Sequence, residues 1–179
     1  MKKQIVLPRY KNVLAQMNEN ILTDRDCGKS VINIKENTLQ NEIGDDKLRT
    51  LIEKALDMRN YSYTPYSNFN VGAALLCSDG TVYGGCNIEN AAYGPSVCAE
   101  RTAIFKAVSE GKKSFTAIVV AGGPREGIKD FCPPCGVCRQ VMVEFCDPDF
   151  KVILAKSVDE YRVFTLGELM PESFSVSQL

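Results

Sequence analysis

Apolar residues at Leu48, Leu51, Ile52, Ala55 and Leu56 keep the three-and-four spacing of one helical face, and Asp45 or Asp46 is placed to cap that helix. "TPYSNF" interrupts the pattern. "FNVGAALLC" (69–77) then reads as a strand, "SDGT" as a tight turn and "VYGGCNI" (82–88) as the hairpin partner. After Pro95-Ser96 the helical spacing resumes over 97–109, with Ala103, Ile104, Ala107 and Val108 on one face. "FTAIVVAG" (115–122) is almost wholly apolar, as a buried strand requires. A second such helix starts near Pro134, and "KVILA" (151–155), "YRVFT" (161–165) and a short "LGELMP" end follow. A hairpin followed by alternating helices and strands predicts an α/β fold: a three-layer α/β/α sandwich around one mixed five-stranded sheet.

Residues 1–44 read differently. Tyr10, Val13, Leu14, Met17 and Ile21 keep a helical spacing, after which the chain drifts without period. This stretch is expected to be an N-terminal extension, mobile or packed on the surface, ahead of a catalytic domain at 45–179. Its acidic residues, among them Glu19, Asp24, Asp26 and Glu36, argue against a transit peptide. No apolar core followed by a small-residue cleavage site marks a secretory signal, and no apolar run reaches the roughly 18 residues of a membrane span. A cytoplasmic protein is the expectation.

Composition narrows the chemistry. The chain has 179 residues and a net charge of −1, so the basic footprint of a nucleic-acid binder is missing and a small molecule is the expected partner. There is no histidine. Ser-His-Asp hydrolysis, Cys-His proteolysis and every histidine-ligated metal site are excluded together. Eight cysteines in a chain without an export signal point to metal or redox chemistry rather than a disulfide framework.

Two stretches concentrate that chemistry. "SVCAERTAIF" (96–105) puts Cys98 and Glu100 two apart at a helix entrance, and "CPPCGVCR" (132–139) overlaps two Cys-x-x-Cys spacings at another. Residues two apart on a helix point to opposite flanks, so one small object meets both only if it lies over the helix end. Three readings compete. A ferredoxin-like cluster wants a fourth cysteine three residues after the run, where Met142 stands. A thioredoxin-like pair leaves Cys98 and Glu100 unused. A catalytic zinc takes three protein ligands and leaves the fourth position to water, which Cys98, Cys135 and Cys138 satisfy. Three thiolates on Zn²⁺ leave one net negative charge, which two helix N-termini, Arg101 and Arg139 can offset. Glu100 then stands ready to move protons rather than to ligate. A fourth ligand from Cys132 would instead make a closed structural zinc module.

"CAE" and "PCGVC" match the all-cysteine pattern of the zinc deaminases. Residues 45–176 resemble the small tetrameric cytidine deaminases, whose motifs occur here in order as "YSNFNVGAAL", "GCNIENAAYG", "CAERTAI" and "PCGVCRQV". The resemblance implies zinc-dependent hydrolysis of cytidine and 2′-deoxycytidine to the uridines, with Glu100 as the proton shuttle, in pyrimidine salvage. It further implies that Phe69 packs against the pyrimidine and that Asn87 and Glu89 hold the sugar. Ala99 and Cys135 would read the base edge through their backbone groups, and Tyr66 and Tyr93 would line the site. In the family a phenylalanine matching Phe174 reaches a neighbour's active site in a homotetramer. A deaminase of aminoglycosyl-nucleoside antibiotics resembles the same site, but "GCNIENA", with its sugar pair, favours cytidine. Cys132 departs from the family pattern.

Overall fold

Period-two alternation sorts the strand residues onto two faces. In the computed structural model of the chain, residue 39 and residues 42–179 are described. Five strands form one sheet in the order β2-β1-β3-β4-β5: β1 (Phe69–Cys77), β2 (Val82–Cys86), β3 (Phe115–Pro124), β4 (Lys151–Ala155) and β5 (Tyr161–Thr165). β3 and β4 run parallel and the other neighbours antiparallel. Ala73 and Leu75 of β1, Ile118 and Val120 of β3, and Val152 and Leu154 of β4 face one side; Ala74, Leu76, Ala117, Val119, Ala121, Ile153 and Ala155 face the other. Three layers follow from this. Helix α1 (Asp45–Met58) covers the second face through Leu48, Leu51, Ile52 and Ala55. Helices α2 (Ala99–Ser109) and α3 (Gly136–Phe145) cover the first, and a one-turn α4 (Leu166–Leu169) follows β5.

Helix ends differ from the sequence reading in ways with physical causes. Gly44, at φ 85, occupies the N-cap of α1, so Asp45 and Asp46 act from the first turn, where their charges meet the positive end of the dipole. α2 and α3 begin one residue past Cys98 and Cys135, which hold extended N-cap backbone. Leu39 is fully buried and Ile43 packs on the α1 side of the sheet, although both belong to the expected extension. The helical spacing over Tyr10–Ile21 lies outside the described residues.

The approach of α2 to the sheet depends on small residues. Ala99, Ala103 and Ala107 are fully buried, and a Cβ on Gly85 of β2 would collide with the Ala99 carbonyl and the Ala103 backbone. This close packing seats the first turn of α2 directly on β2.

Candidate metal and substrate site

The entrances of α2 and α3 bring three sulfurs together. Cys98 and Cys135 are the N-cap residues of α2 and α3, and Cys138 lies in the first turn of α3, fully buried. The Sγ atoms of Cys98 and Cys135 are 3.8 Å apart, those of Cys135 and Cys138 3.6 Å, and all three lie within 4.8 Å of one another. All are free thiols. Three soft donors converging at two helix N-termini fit a zinc ion with one coordination position left open.

The surroundings favour negative sulfur at one thiol in particular. Hydrogen bonding from the Cys138 thiol, with help from Arg101, lowers the Cys98 pKa to about 5. Arg101 Nη2 lies 3.6 Å from Cys98 Sγ and donates to the Ser96 carbonyl at 3.2 Å. The same bond to Cys98, together with burial, drives the Cys138 thiol upward. Glu100 is only 3% exposed; burial raises its pKa, and its carboxyl reaches the Cys138 thiol. Cys132 is separate. It falls outside the converging group, its sulfur packs against Gly122, and burial pushes its thiol up to about 11.

Arg139 has other partners than the sulfurs expected for it. Its Nε donates to the Pro134 carbonyl at 2.8 Å and its Nη1 to the Leu169 carbonyl at 2.5 Å. Of the two arginines, Arg101 is the one that hydrogen-bonds a sulfur of the triad.

Beside Cys98 opens a cavity of about 220 Å³ lined by Tyr66, Asn87, Ile88, Glu89 and Tyr93, with Ser96 and Val97 at its floor. Four expected substrate residues therefore meet at one place. Their local geometry is not that of a strand, because β2 stops at Cys86. The Asn87 side chain takes over the ladder: its Oδ1 accepts from Val71 N at 2.8 Å and its Nδ2 donates to the Phe69 carbonyl at 2.9 Å. Glu89 Oε2 accepts from the amides of Tyr66 and Ser67 at 3.0 and 3.3 Å. Bonding to the Ser67 hydroxyl, and then to those amides, lowers the Glu89 pKa, so the carboxylate stays ionised; both amides share one oxygen, Oε2.

Phe69 opens β1 at 39% exposure, and Ala99 is buried in the first turn of α2. Tyr93 is 76% exposed with φ 50, a left-handed backbone that bulky residues rarely adopt. Phe174 is 62% exposed on the C-terminal segment and does not line this cavity. Three larger cavities, of about 540, 400 and 280 Å³, lie at the start of α1, by the C-terminal segment and beside Arg59 and Asn70, and none is lined by a cysteine of the triad.

Sequence reasoning missed the scaffold that aims the Tyr66 loop. Thr64, 1% exposed, donates to Asn70 Oδ1 at 2.6 Å, and Asn70 Nδ2 donates to the Arg59 carbonyl at 3.0 Å. Arg59 in turn donates to the carbonyls of Asn70 and Pro124 at 3.1 and 2.8 Å. The available signal was parity: Asn70 stands at an inward position of an otherwise apolar strand.

The fold and the site together define a zinc-binding α/β class in which two cysteine-bearing helices meet over one sheet. The family profile described as cytidine and deoxycytidylate deaminase zinc-binding region matches residues 45–154, and the chain belongs to that family. It is 47% identical to the cytidine deaminase of Halalkalibacterium halodurans over 129 residues, 72% of this chain and 95% of that protein. It is 44% identical to a probable cytidine deaminase of Dictyostelium discoideum over 138 residues, 76% of this chain and 90% of the other. The crystal structure of cytidine deaminase from Burkholderia pseudomallei superposes with a TM-score of 0.64 at 46% identity, covering 70% of this chain and 97% of that one.

Proposed function

We propose that this protein deaminates cytidine and 2′-deoxycytidine by hydrolysis, giving the uridines and ammonia. The observation that carries the reading is the Cys98–Cys135–Cys138 triad, its sulfurs within 4.8 Å of one another, opening beside buried Glu100 onto the cavity of Asn87 and Glu89. Cys98, Cys135 and Cys138 hold Zn²⁺, and Arg101 mutes the thiolate charge. When bound, zinc supplies Lewis acidity that makes water a nucleophile near neutral pH.

The chain's own residues do the rest. Water adds at C4 of the pyrimidine and the exocyclic nitrogen leaves as ammonia. Glu100 takes the proton released by the water and delivers it to N3, then takes the proton of the new C4 hydroxyl and gives it to the exocyclic amine as the C4–N bond breaks and the C4 carbonyl forms. Its burial keeps that carboxyl out of bulk solvent while the protons move. Phe69 packs on the ring, the backbone of Ala99 and Cys135 reads the base edge, and Tyr66 and Tyr93 wall the cavity. The Glu89 carboxylate and the remaining Asn87 N–H take the sugar hydroxyls. An ionised carboxylate there would repel a phosphate, which favours the free nucleoside over nucleotides or nucleic acid.

The substrate site is incomplete in one chain. Tyr63, Tyr66, Ile88 and Tyr93 are between 43% and 76% exposed about the cavity mouth, a concentration that supports an interface there. A homotetramer in which Phe174 reaches a neighbour's substrate covers it, in a cytoplasmic enzyme of pyrimidine salvage. Among the described residues no helix is long and apolar enough to cross a membrane.

The Glu100→Gln variant tests the assignment. It should bind zinc normally and lose turnover by on the order of 10²–10⁴-fold, the range for a general acid–base group. Retention of more than about a tenth of the wild-type rate would remove Glu100 from the proton path.

A further inference from the structure

Two consecutive side chains reach from the cysteine-bearing helix to the end of the chain. Arg139 Nη1 donates to the Leu169 carbonyl at 2.5 Å, and Gln140 Nε2 donates to the Phe174 carbonyl at 2.8 Å. Both directly follow the ligand Cys138. Arg139 also donates to the Pro134 carbonyl, so one guanidinium joins the loop entering α3 to the end of α4.

Among the described residues, little else fixes the segment between those two carbonyls beyond Met170 N donating to the Leu166 carbonyl at 2.8 Å. α4 ends at Leu169, Met170 leaves helical backbone at φ −147 and ψ 70, and no regular element follows until the short turn at Val176–Gln178. Beneath the segment lies the cavity of about 400 Å³ lined by Val143, Cys146, Leu166, Met170, Ser173 and Val176, so tight packing does not hold it from below. Beyond Phe174 the Ser175 amide donates to Gln178 Oε1 at 2.7 Å, a bond within the tail itself. Gln140 thus fixes the Phe174 backbone while the ring stays 62% exposed. A fraying end would not have its backbone held and its largest apolar side chain turned to solvent.

We propose that Gln140 is a positioning residue, backed by Arg139, that presents Phe174 to the substrate of a neighbouring subunit. This rests on the reading that Phe174 contributes across the subunit interface. It gives the Arg139–Gln140 pair after Cys138 a role other than charge offset: the helix that carries two zinc ligands also sets the aromatic lid of the next site. Loss of the Gln140 bond should let the segment wander, weakening substrate binding without touching the metal.

The experiment compares Gln140→Met, which keeps length but lacks a donor, with Phe174→Ala and with the double variant, in the zinc-loaded assembled enzyme. Gln140→Met should raise KM for cytidine about fivefold, the weight of one neutral hydrogen bond, with zinc content and assembly unchanged. Gln140→Lys, which restores a donor, should recover most of that loss. If Gln140 acts through Phe174, the double variant binds no more weakly than Phe174→Ala alone. Additive losses in the double variant, or an unchanged KM in Gln140→Met while Phe174→Ala raises it, overturn the positioning role. An unchanged KM in Phe174→Ala would instead overturn the cross-subunit reading beneath it. Should Gln140→Met fail to assemble, Gln140→Glu against Gln140→Lys makes the same donor comparison.

Discussion

Each sulfur of the triad has a distinct environment. Cys135 is exposed at its helix entrance, Cys138 is fully buried, and Cys98 carries the Arg101 contact. Removing any one leaves two donors, too few for the three-ligand site of a catalytic zinc. Cys135→Ser should therefore lose its zinc, while Cys132→Ser should keep about one equivalent per chain by elemental analysis; equal loss in both would overturn the ligand assignment. The ligands were legible because Cys-x-x-Cys and Cys-x-Glu are local spacings at helix entrances. Arg139 was not legible in the same way. Its partners Pro134 and Leu169 are carbonyls, one of them 30 residues away, and no side-chain pattern announces a backbone acceptor. Asn87 and Glu89 line one cavity. They share it through loop bonds to β1 and to the Tyr66 loop.

At the scale of elements, α2 is held by a short contact. Gly85 sits under Ala99 and Ala103, where any side chain meets backbone rather than a flexible tip. Gly85→Val should lower stability by about 1–3 kcal/mol, as overpacking does, and should also reduce zinc retention by tilting Cys98 away from Cys135. A thermal-melting series with and without zinc checks both, and an unchanged melting point would contradict the close approach. Apolar runs in β1, β3 and β4 made the strands readable, since their two faces are both covered. Strand ends were less readable. Nothing in "VYGGCNI" says that the Asn87 amide replaces the ladder after Cys86.

The whole molecule presents an exposed aromatic rim beside the cysteine triad and an exposed phenylalanine on its C-terminal segment. Tyr93 holds left-handed backbone to put its ring outward, and Phe174 projects from a segment fastened by Gln140. Isolated chains would leave these rings in water, so the account expects a homotetramer by light scattering. It also expects weaker cytidine binding in Phe174→Ala. A fully active monomer would contradict both. The layered fold was legible in the order of elements, because a hairpin followed by helix–strand alternation admits few arrangements. The expectation of assembly comes only from resemblance, since a polar, serine-rich tail with one phenylalanine carries no local sign of a partner.

Incubating the purified, zinc-replete protein with cytidine, and following the loss of pyrimidine absorbance together with ammonia release, tests the deaminase reading. Conversion to uridine should be stoichiometric, abolished when a chelator strips the zinc and restored when zinc is returned. Zinc-replete, correctly folded protein that leaves cytidine unchanged would contradict it.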